Sequence, residues 1–376
     1  MLALAALVIW LYLFFAHGRF WLSGPELPKS SPQQTQIISG AWPAVDIIIP
    51  ARDEAETIAT VIASLVAQDY PGVFRLTLVD DNSSDRTAAA AASACSASHL
   101  RIIEGEPRPE GWSGKLWALS QGVAATSAPV ILFTDADIVH EPAHLSVLVA
   151  HLQAAQLEMA SEMVRLNCST FAERALVPAF VYFFQMLYPF ARVNDPRSRV
   201  AAAAGGTVLI RREALERIGG IEAIRSALID DVTLAQAVKT IGPIYLGHTR
   251  LASSIRPYPG FTAIWQMIAR TAFTQLRHSS VLLLLTLAAL ALLWLVPLWS
   301  SVSAHGGPRI AGLAVSGLAA LSYIPTLMRY RRSPLWVLAL PFIALFYMAA
   351  TLGSACNHWF GGGASWKNRS YGQQRE

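Results

Sequence analysis

The stretch ILFTDADIVHEP, residues 131–142, places two carboxylates, Asp135 and Asp137, two residues apart directly behind an apolar run. Like charges this close repel unless something positive lies between them. A divalent cation carrying a phosphate meets that need, because hard cations take oxygen ligands. An acidic turn with a helix cap fits the same residues, and a bare D-x-D pair is common in proteins. What sets this pair apart is its place after an apolar strand, the end at which a parallel sheet presents ligands.

Working outward, VDIIIP (45–50), RLTLVDD (75–81), LRIIEG (100–105) and PVILFTDAD (129–137) read as strands. Between them lie helical stretches from Glu54 to Gln68, from Asp85 to Ala97 and from Lys115 to Ala125. Strand, helix, strand in this order predicts an α/β fold, a mostly parallel sheet with helices on both faces. Acids gather at the strand ends. Pro50 and Ala51 close the first strand before Asp53 and Glu54, and Asp80, Asp81 and Asn82 sit at the tip of the second. An acid there accepts hydrogen bonds from a base N–H or a ribose hydroxyl, although each is also an ordinary turn or cap position. Further on, LIDDVTLAQAV (228–238) reads by itself as an acidic helix start.

Composition limits what surrounds this domain. Of 376 residues 53% are hydrophobic and only 14% charged, and the mean hydropathy is positive, so one large domain plus membrane segments is expected rather than a purely soluble protein. A net charge of +4 without a basic arm gives nucleic-acid binding no support and suits an anionic membrane face. Cys95, Cys168 and Cys356 lie far apart with no CxxC, which indicates neither a zinc site nor a disulfide framework and fits a reducing compartment.

Residues 1–22 read as an uncleaved N-terminal transmembrane anchor whose sixteen apolar residues are followed by His17, Arg19 and Lys29, and Pro/Ser/Gln-rich residues 23–43 as a linker. Residues 44–280 form the expected α/β domain. Segments 281–304, 310–328 and 334–355 are each long enough to span, giving three C-terminal crossings within 281–356 and a polar tail over 357–376. The arginines of RYRRS (329–333) argue for a cytoplasmic loop. The last crossing then sends Lys367, Arg369 and Arg375 outside, against the same rule, unless Pro341 makes that segment re-entrant. The apolar stretch 176–193 contains Pro178, Gln185 and Pro189 and is expected to lie along the membrane surface.

Six stretches, IIIPARDEAETI (47–58), LVDDNSSDRT (78–87), GWSGKLWAL (111–119), ILFTDADI (131–138), AAAAGGTVLIRREALERIGGI (201–221) and LIDDVTLAQAVKTIG (228–242), stand in a telling order and spacing. Over about residues 45–280 the chain resembles the inverting family 2 glycosyltransferases with the GT-A fold. In its membrane layout, GWSGK and ARTAFTQLRHS (269–279), it is most similar to the hopene-associated, HpnB-type members.

The resemblance implies a GT-A, Rossmann-like nucleotide-diphospho-sugar transferase domain between N-terminal and C-terminal transmembrane helices. It implies that Pro50, Ala51, Asp53 and Glu54 form the first nucleotide-contacting motif, with Arg52 where an aromatic is more usual. It assigns Asp81 to the uracil or ribose, Lys115 to the donor phosphate, and Gly205 and Gly206 to a turn beside the sugar and acceptor. Asp135 and Asp137 become the pair that holds Mg²⁺ or Mn²⁺, with Asp135 also aimed at a ribose. Asp231 becomes the catalytic base, beside Asp230 where Glu is commoner. The QxxRW signature of processive synthases is absent. In its place WQMIARTAFTQLRHSS (265–280) carries Arg270, Gln275 and Arg277 on a helix read either as interfacial or as a donor-binding element.

The expected activity is transfer of one sugar from a nucleotide-sugar, UDP-linked, to a lipid acceptor, a hopanoid by resemblance, at the cytoplasmic side of the inner membrane in a multi-pass protein. The alternatives are a polyprenyl-phosphate glycosyltransferase and an inactive GT-A-like membrane scaffold.

Overall fold

The computed structural model describes residues 1–28, 42–96 and 99–361, with the backbone of 365–366 and 369–370. The chain divides into a strand-bearing unit, Pro25–Asn167 with Arg192–Pro257, and a helical unit, Met1–Gly24 with Cys168–Ala191 and Tyr258–Glu376. The expected 44–280 domain thus contributes its residues 168–191 and 258–280 to the helical unit.

The strand-bearing unit is built on one sheet of β1 (Val45–Ala51), β2 (Phe74–Asp80), β3 (Leu100–Glu104), β4 (Val130–Thr134), β5 (Ile138–His140), β6 (Met159–Arg165), β7 (Thr207–Arg211) and β8 (Ile244–Ser254). Their order is β3-β2-β1-β4-β7-β6-β8-β5. The first four strands are parallel, as the sequence predicts. Beyond them the sheet is mixed, because β7 runs antiparallel between β4 and β6, and β5 runs antiparallel on β8. That reversal matters for the site. Thr134, ending β4, pairs with Thr207, opening β7, so the turns 135–137 and 205–206 leave the sheet side by side.

Every position of β1 is buried, including Asp46. Its carboxylate accepts from the Ser127 and Ala128 N–H groups at 2.9 and 2.6 Å and lies 3.6 Å from Arg212, which satisfies a charge that burial alone would make costly. Helix Gly114–Ala124 presses on this strand so closely that a Cβ at Gly122 would stand 2.4 Å from Ile48 Cγ2. The helix expected from Glu54 begins instead at Ile58, since Asp53 takes a left-handed φ of 51°. That expected from Asp85 begins at Thr87, whose N–H the Asp85 side chain accepts at 2.9 Å; its expected end, Ala97, lies outside the described residues. The start of the expected linker is tied to β8, with His248 N donating to Pro25 O at 2.7 Å and Arg250 2.8 Å from Glu26. The linker's residues 29–41 lie outside the described ones.

In the helical unit, Ser280–Ser303, Gly306–Arg329 and Pro334–Phe360 are long and apolar enough to cross a membrane. The first changes to a π-helical turn over Ala291–Leu295 just before Pro297, whose missing N–H cannot continue the ladder. Trp10 Nε1 donates to Leu293 O within that turn at 3.1 Å. The last helix runs on to Phe360, into the expected polar tail, and residues 362–364, 367–368 and 371–376 are outside the described ones.

The N-terminal segment forms an apolar helix of 14 residues over Leu2–Phe15. Gly18 and Arg19, with φ of 62° and 48°, turn the chain soon afterwards. Phe190–Val193 form a separate short helix, while residues 176–187 belong to helix Phe171–Leu187, most of which is buried among the apolar helices, which corrects the expectation of a surface-lying helix. Its polar side chains find partners there: Tyr182 Oη lies 2.7 Å from Ser322 Oγ, and Thr326 donates to Gln185 at 3.4 Å.

Candidate active site

Lys115, in the first turn of helix Gly114–Ala124, is the centre of the site. Its Nζ lies 2.9 Å from Asp135 Oδ1 and 3.0 Å from Asp230 Oδ2. Burial works against the ammonium charge, but Asp135 and Asp230 more than offset it, so Lys115 stays protonated well above the usual lysine range. Burial raises the Asp135 pKa, with Lys115 opposing the shift. Asp230 and Asp231 open helix Asp230–Lys239, where acids suit the positive end of the helix dipole.

Asp231 is held from both sides. Gly205 N donates to its Oδ2 and Val232 N to its Oδ1, each at 2.8 Å. Burial and the neighbouring Asp230 nevertheless push its pKa up to about 7, against the pull of Lys115 and these N–H groups. A Cβ at Gly205 would stand 3.2 Å from Asp231 Oδ2 and 3.5 Å from Lys115 Nζ, so the close approach favours glycine. Gly206 O in turn accepts from Thr134 Oγ1 at 3.0 Å. Pro50, Leu116, Phe133, Val208, Ile221 and Leu234 wall the cavity in which Lys115, Asp135, Asp230 and Asp231 meet. A carboxylate titrating near neutrality beside a fixed cation can take a proton from a hydroxyl while the cation meets developing negative charge.

Arg256, two residues beyond β8, is the functional residue the sequence reading missed. Its Nε lies 2.7 Å from Asp137 Oδ2 and its Nη2 2.6 Å from Glu54 Oε1. Burial opposes its charge, yet Asp137 and Glu54 raise its pKa beyond the usual arginine range. Asp137 also accepts from Ser254 Oγ at 3.3 Å. Glu54, expected at the nucleotide, therefore holds Arg256. A lone arginine in SSIRPYPG carries no local signal, since Asp137 lies 119 positions away.

At the tips of β1 and β2, Arg52 donates to Asp81 O at 2.5 Å and Asn82 O at 3.2 Å, which gives this residue a stapling role where an aromatic was expected. Asp81 N donates to Ala51 O at 2.8 Å, and Asp53 Oδ1 accepts from Ser84 N at 2.6 Å. Arg270, Gln275 and Arg277 belong to the helical unit. Gln275 donates to Tyr188 Oη at 2.6 Å, and Arg270 and Arg277 are exposed.

Residues 46–219 match the model of Glycosyl transferase family 2. A beta-monoglucosyldiacylglycerol synthase of Trichormus variabilis is 25% identical over 337 residues, covering 82% of this chain and 69% of that protein. The probable glycosyltransferase YdaM of Bacillus subtilis is 26% identical over 204 residues, covering 53% and 47%. Among solved structures, a Pyrobaculum calidifontis mannosyltransferase in complex with GDP-Man and Mn²⁺ aligns with a TM-score of 0.54 at 19% identity, covering 96% of this chain and 99% of that one. The mixed α/β sheet of GT-A-like fold, with acids at its strand ends, and the match over 46–219 lead to one conclusion: the chain is a glycosyltransferase.

Proposed function

We propose that the protein moves a single sugar from a UDP-linked donor to a hydroxyl of a membrane lipid, inverting the anomeric centre. The observation that carries the reading is Asp231, fixed by two backbone N–H groups, with a pKa of about 7, across Lys115 from Asp135. A base with that pKa is substantially ionised at neutral pH and takes the proton of the attacking hydroxyl. Lys115 meets the charge on the departing diphosphate. One carboxylate base and a single displacement need no glycosyl-enzyme intermediate.

The donor set at Asp135 and Asp137 fits a divalent ion. Lys115 engages Oδ1 of Asp135, and Arg256 and Ser254 engage Oδ2 of Asp137, which leaves the other oxygen of each carboxylate for a cation. Among the described residues no three His, Cys, Asp or Glu side chains form a metal cluster, so the remaining ligands would be phosphate oxygens and water, a coordination Mg²⁺ tolerates. Bound Mg²⁺ or Mn²⁺ supplies neutralisation of the leaving diphosphate. Chelation with EDTA is expected to weaken UDP binding at least tenfold in calorimetry, about 1.4 kcal/mol. Equal affinity with and without EDTA overturns the metal assignment.

The lipid acceptor is supported by three helices able to cross a membrane and by the name of the Trichormus variabilis relative. We assign the protein to the inner membrane as a multi-pass chain with its catalytic unit in the cytoplasm, on the strength of Arg329, Arg331 and Arg332 between the last two spans. Membranes containing the protein, given radiolabelled UDP-glucose and, in separate arms, diacylglycerol, a hopanoid alcohol or a polyprenyl phosphate, are expected to label a neutral lipid in one of the first two arms. Label only in the polyprenyl phosphate arm transfers the reading to that class, and no label in any arm with any common UDP-sugar favours a scaffold.

A further inference from the structure

Behind the site runs a chain of polar groups that the transfer chemistry does not use. Thr134 Oγ1, which donates to Gly206 O, also lies 2.9 Å from His140 Nε2. His140 Nδ1 is 2.9 Å from His144 Nδ1, and His144 Nε2 is 2.9 Å from Glu162 Oε2. None of the four is more than 3% exposed. Among the described residues Glu162 Oε1 has no hydrogen-bond partner, nor has Oγ1 of the buried Thr207.

Counting hydrogens along the chain leaves two possibilities. Thr134 has one hydroxyl hydrogen. Given to Gly206 O, it requires His140 to donate from Nε2. Burial and the adjacent His144 keep His140 neutral, so its Nδ1 is then bare and takes a hydrogen from His144 Nδ1. His144 Nε2 and Glu162 Oε2 must then share one further proton, as imidazolium with carboxylate or imidazole with carboxylic acid. Without that proton His144 donates from Nε2 and His140 from Nδ1. Thr134 must then turn to His140 and release Gly206.

We propose that His140, His144 and Glu162 are positioning residues for the transfer. They form a relay holding one shared proton, which keeps the Thr134 hydroxyl on the Gly206 carbonyl and so fixes the turn bearing Asp135 against the turn that grips Asp231. The proton-bearing form accounts for the bond to Gly206 and makes the cluster net neutral. The alternative leaves an anion, one oxygen unpartnered, in a dry interior, a costly state. The role in transfer rests on the function proposed above; the hydrogen count does not.

Nitrogen-15 histidine labelling of the full chain in detergent, with His140→Gln and His144→Gln for assignment, reads the tautomers directly. His140 is expected to be neutral with hydrogen on Nε2, and an Nδ1–H tautomer or an imidazolium overturns the relay. Glu162→Gln, whose amide donates to His144 Nε2 without an extra proton, is expected to keep that tautomer and to keep kcat for UDP-glucose and diacylglycerol within about twofold. Glu162→Ala is expected to lose the tautomer and about tenfold in kcat, with the donor KM moving less than about twofold. Equal losses for Gln and Ala give Glu162 a packing role and overturn the proposal. If the parent transfers nothing from this donor, the choice of substrates fails while the tautomer measurements still decide the relay.

Discussion

At the scale of single residues, Asp231 and Lys115 make opposite demands on one proton. The group that accepts it must be ionised, and Asp231 has been pushed up to about 7, so kcat/KM is expected to rise as pH increases through that value and to level off above it. Asp231→Asn removes the base while preserving shape; transfer is expected to fall by roughly 10²–10⁴ with UDP binding retained, and unchanged transfer removes the role from this residue. Lys115 lowers the Asp231 pKa, so Lys115→Met, by deleting that pull, is expected to move the rising limb to higher pH. A limb that stays in place or moves down contradicts the electrostatic coupling. Asp135 was legible as a candidate from its place after an apolar strand, whereas Asp230 and Asp231 read alone only as a helix start, which they are. What the sequence left hidden was Lys115 bridging Asp135 and Asp230, since those partners come from a strand end and a helix start far apart in the chain.

At the scale of elements, the parallel half of the sheet was readable because β1 and β4 carry the apolar runs Ile47–Ile49 and Val130–Phe133, which suit a strand covered on both faces. The antiparallel β7 was not, since TVLIR has the same apolar pattern in either direction and direction is set by tertiary pairing. Arg256 was hidden for a related reason: only the end of β8 brings it between Glu54 and Asp137. Arg256→Leu would leave two largely buried carboxylates without their cation. A fully buried pair broken this way costs several kcal/mol, and because the Arg256 side chain is 34% exposed the loss is expected to be about 2 kcal/mol in chemical denaturation. Mg²⁺ with UDP is expected to recover part of it. No loss of stability would show that the acids are solvated well enough without the guanidinium.

At the scale of the whole molecule, the 53% hydrophobic composition is only partly spent on cores. Leu284 (68%), Trp299 (72%), Val302 (76%), Leu335 (74%) and Phe342 (68%) stand exposed on the apolar helices. Each such side chain left in water forgoes about 1.5–3 kcal/mol relative to an apolar environment. Five of them in a chain whose net stability is of the order of 5–15 kcal/mol point to hydrocarbon rather than water around these helices. The protein is therefore expected to remain in the pellet when membranes are washed with alkaline carbonate, and to enter solution with detergent. Release by carbonate alone would mean that another protein surface, and not lipid, covers these side chains, and the case for an acceptor drawn from the bilayer would lose its physical support.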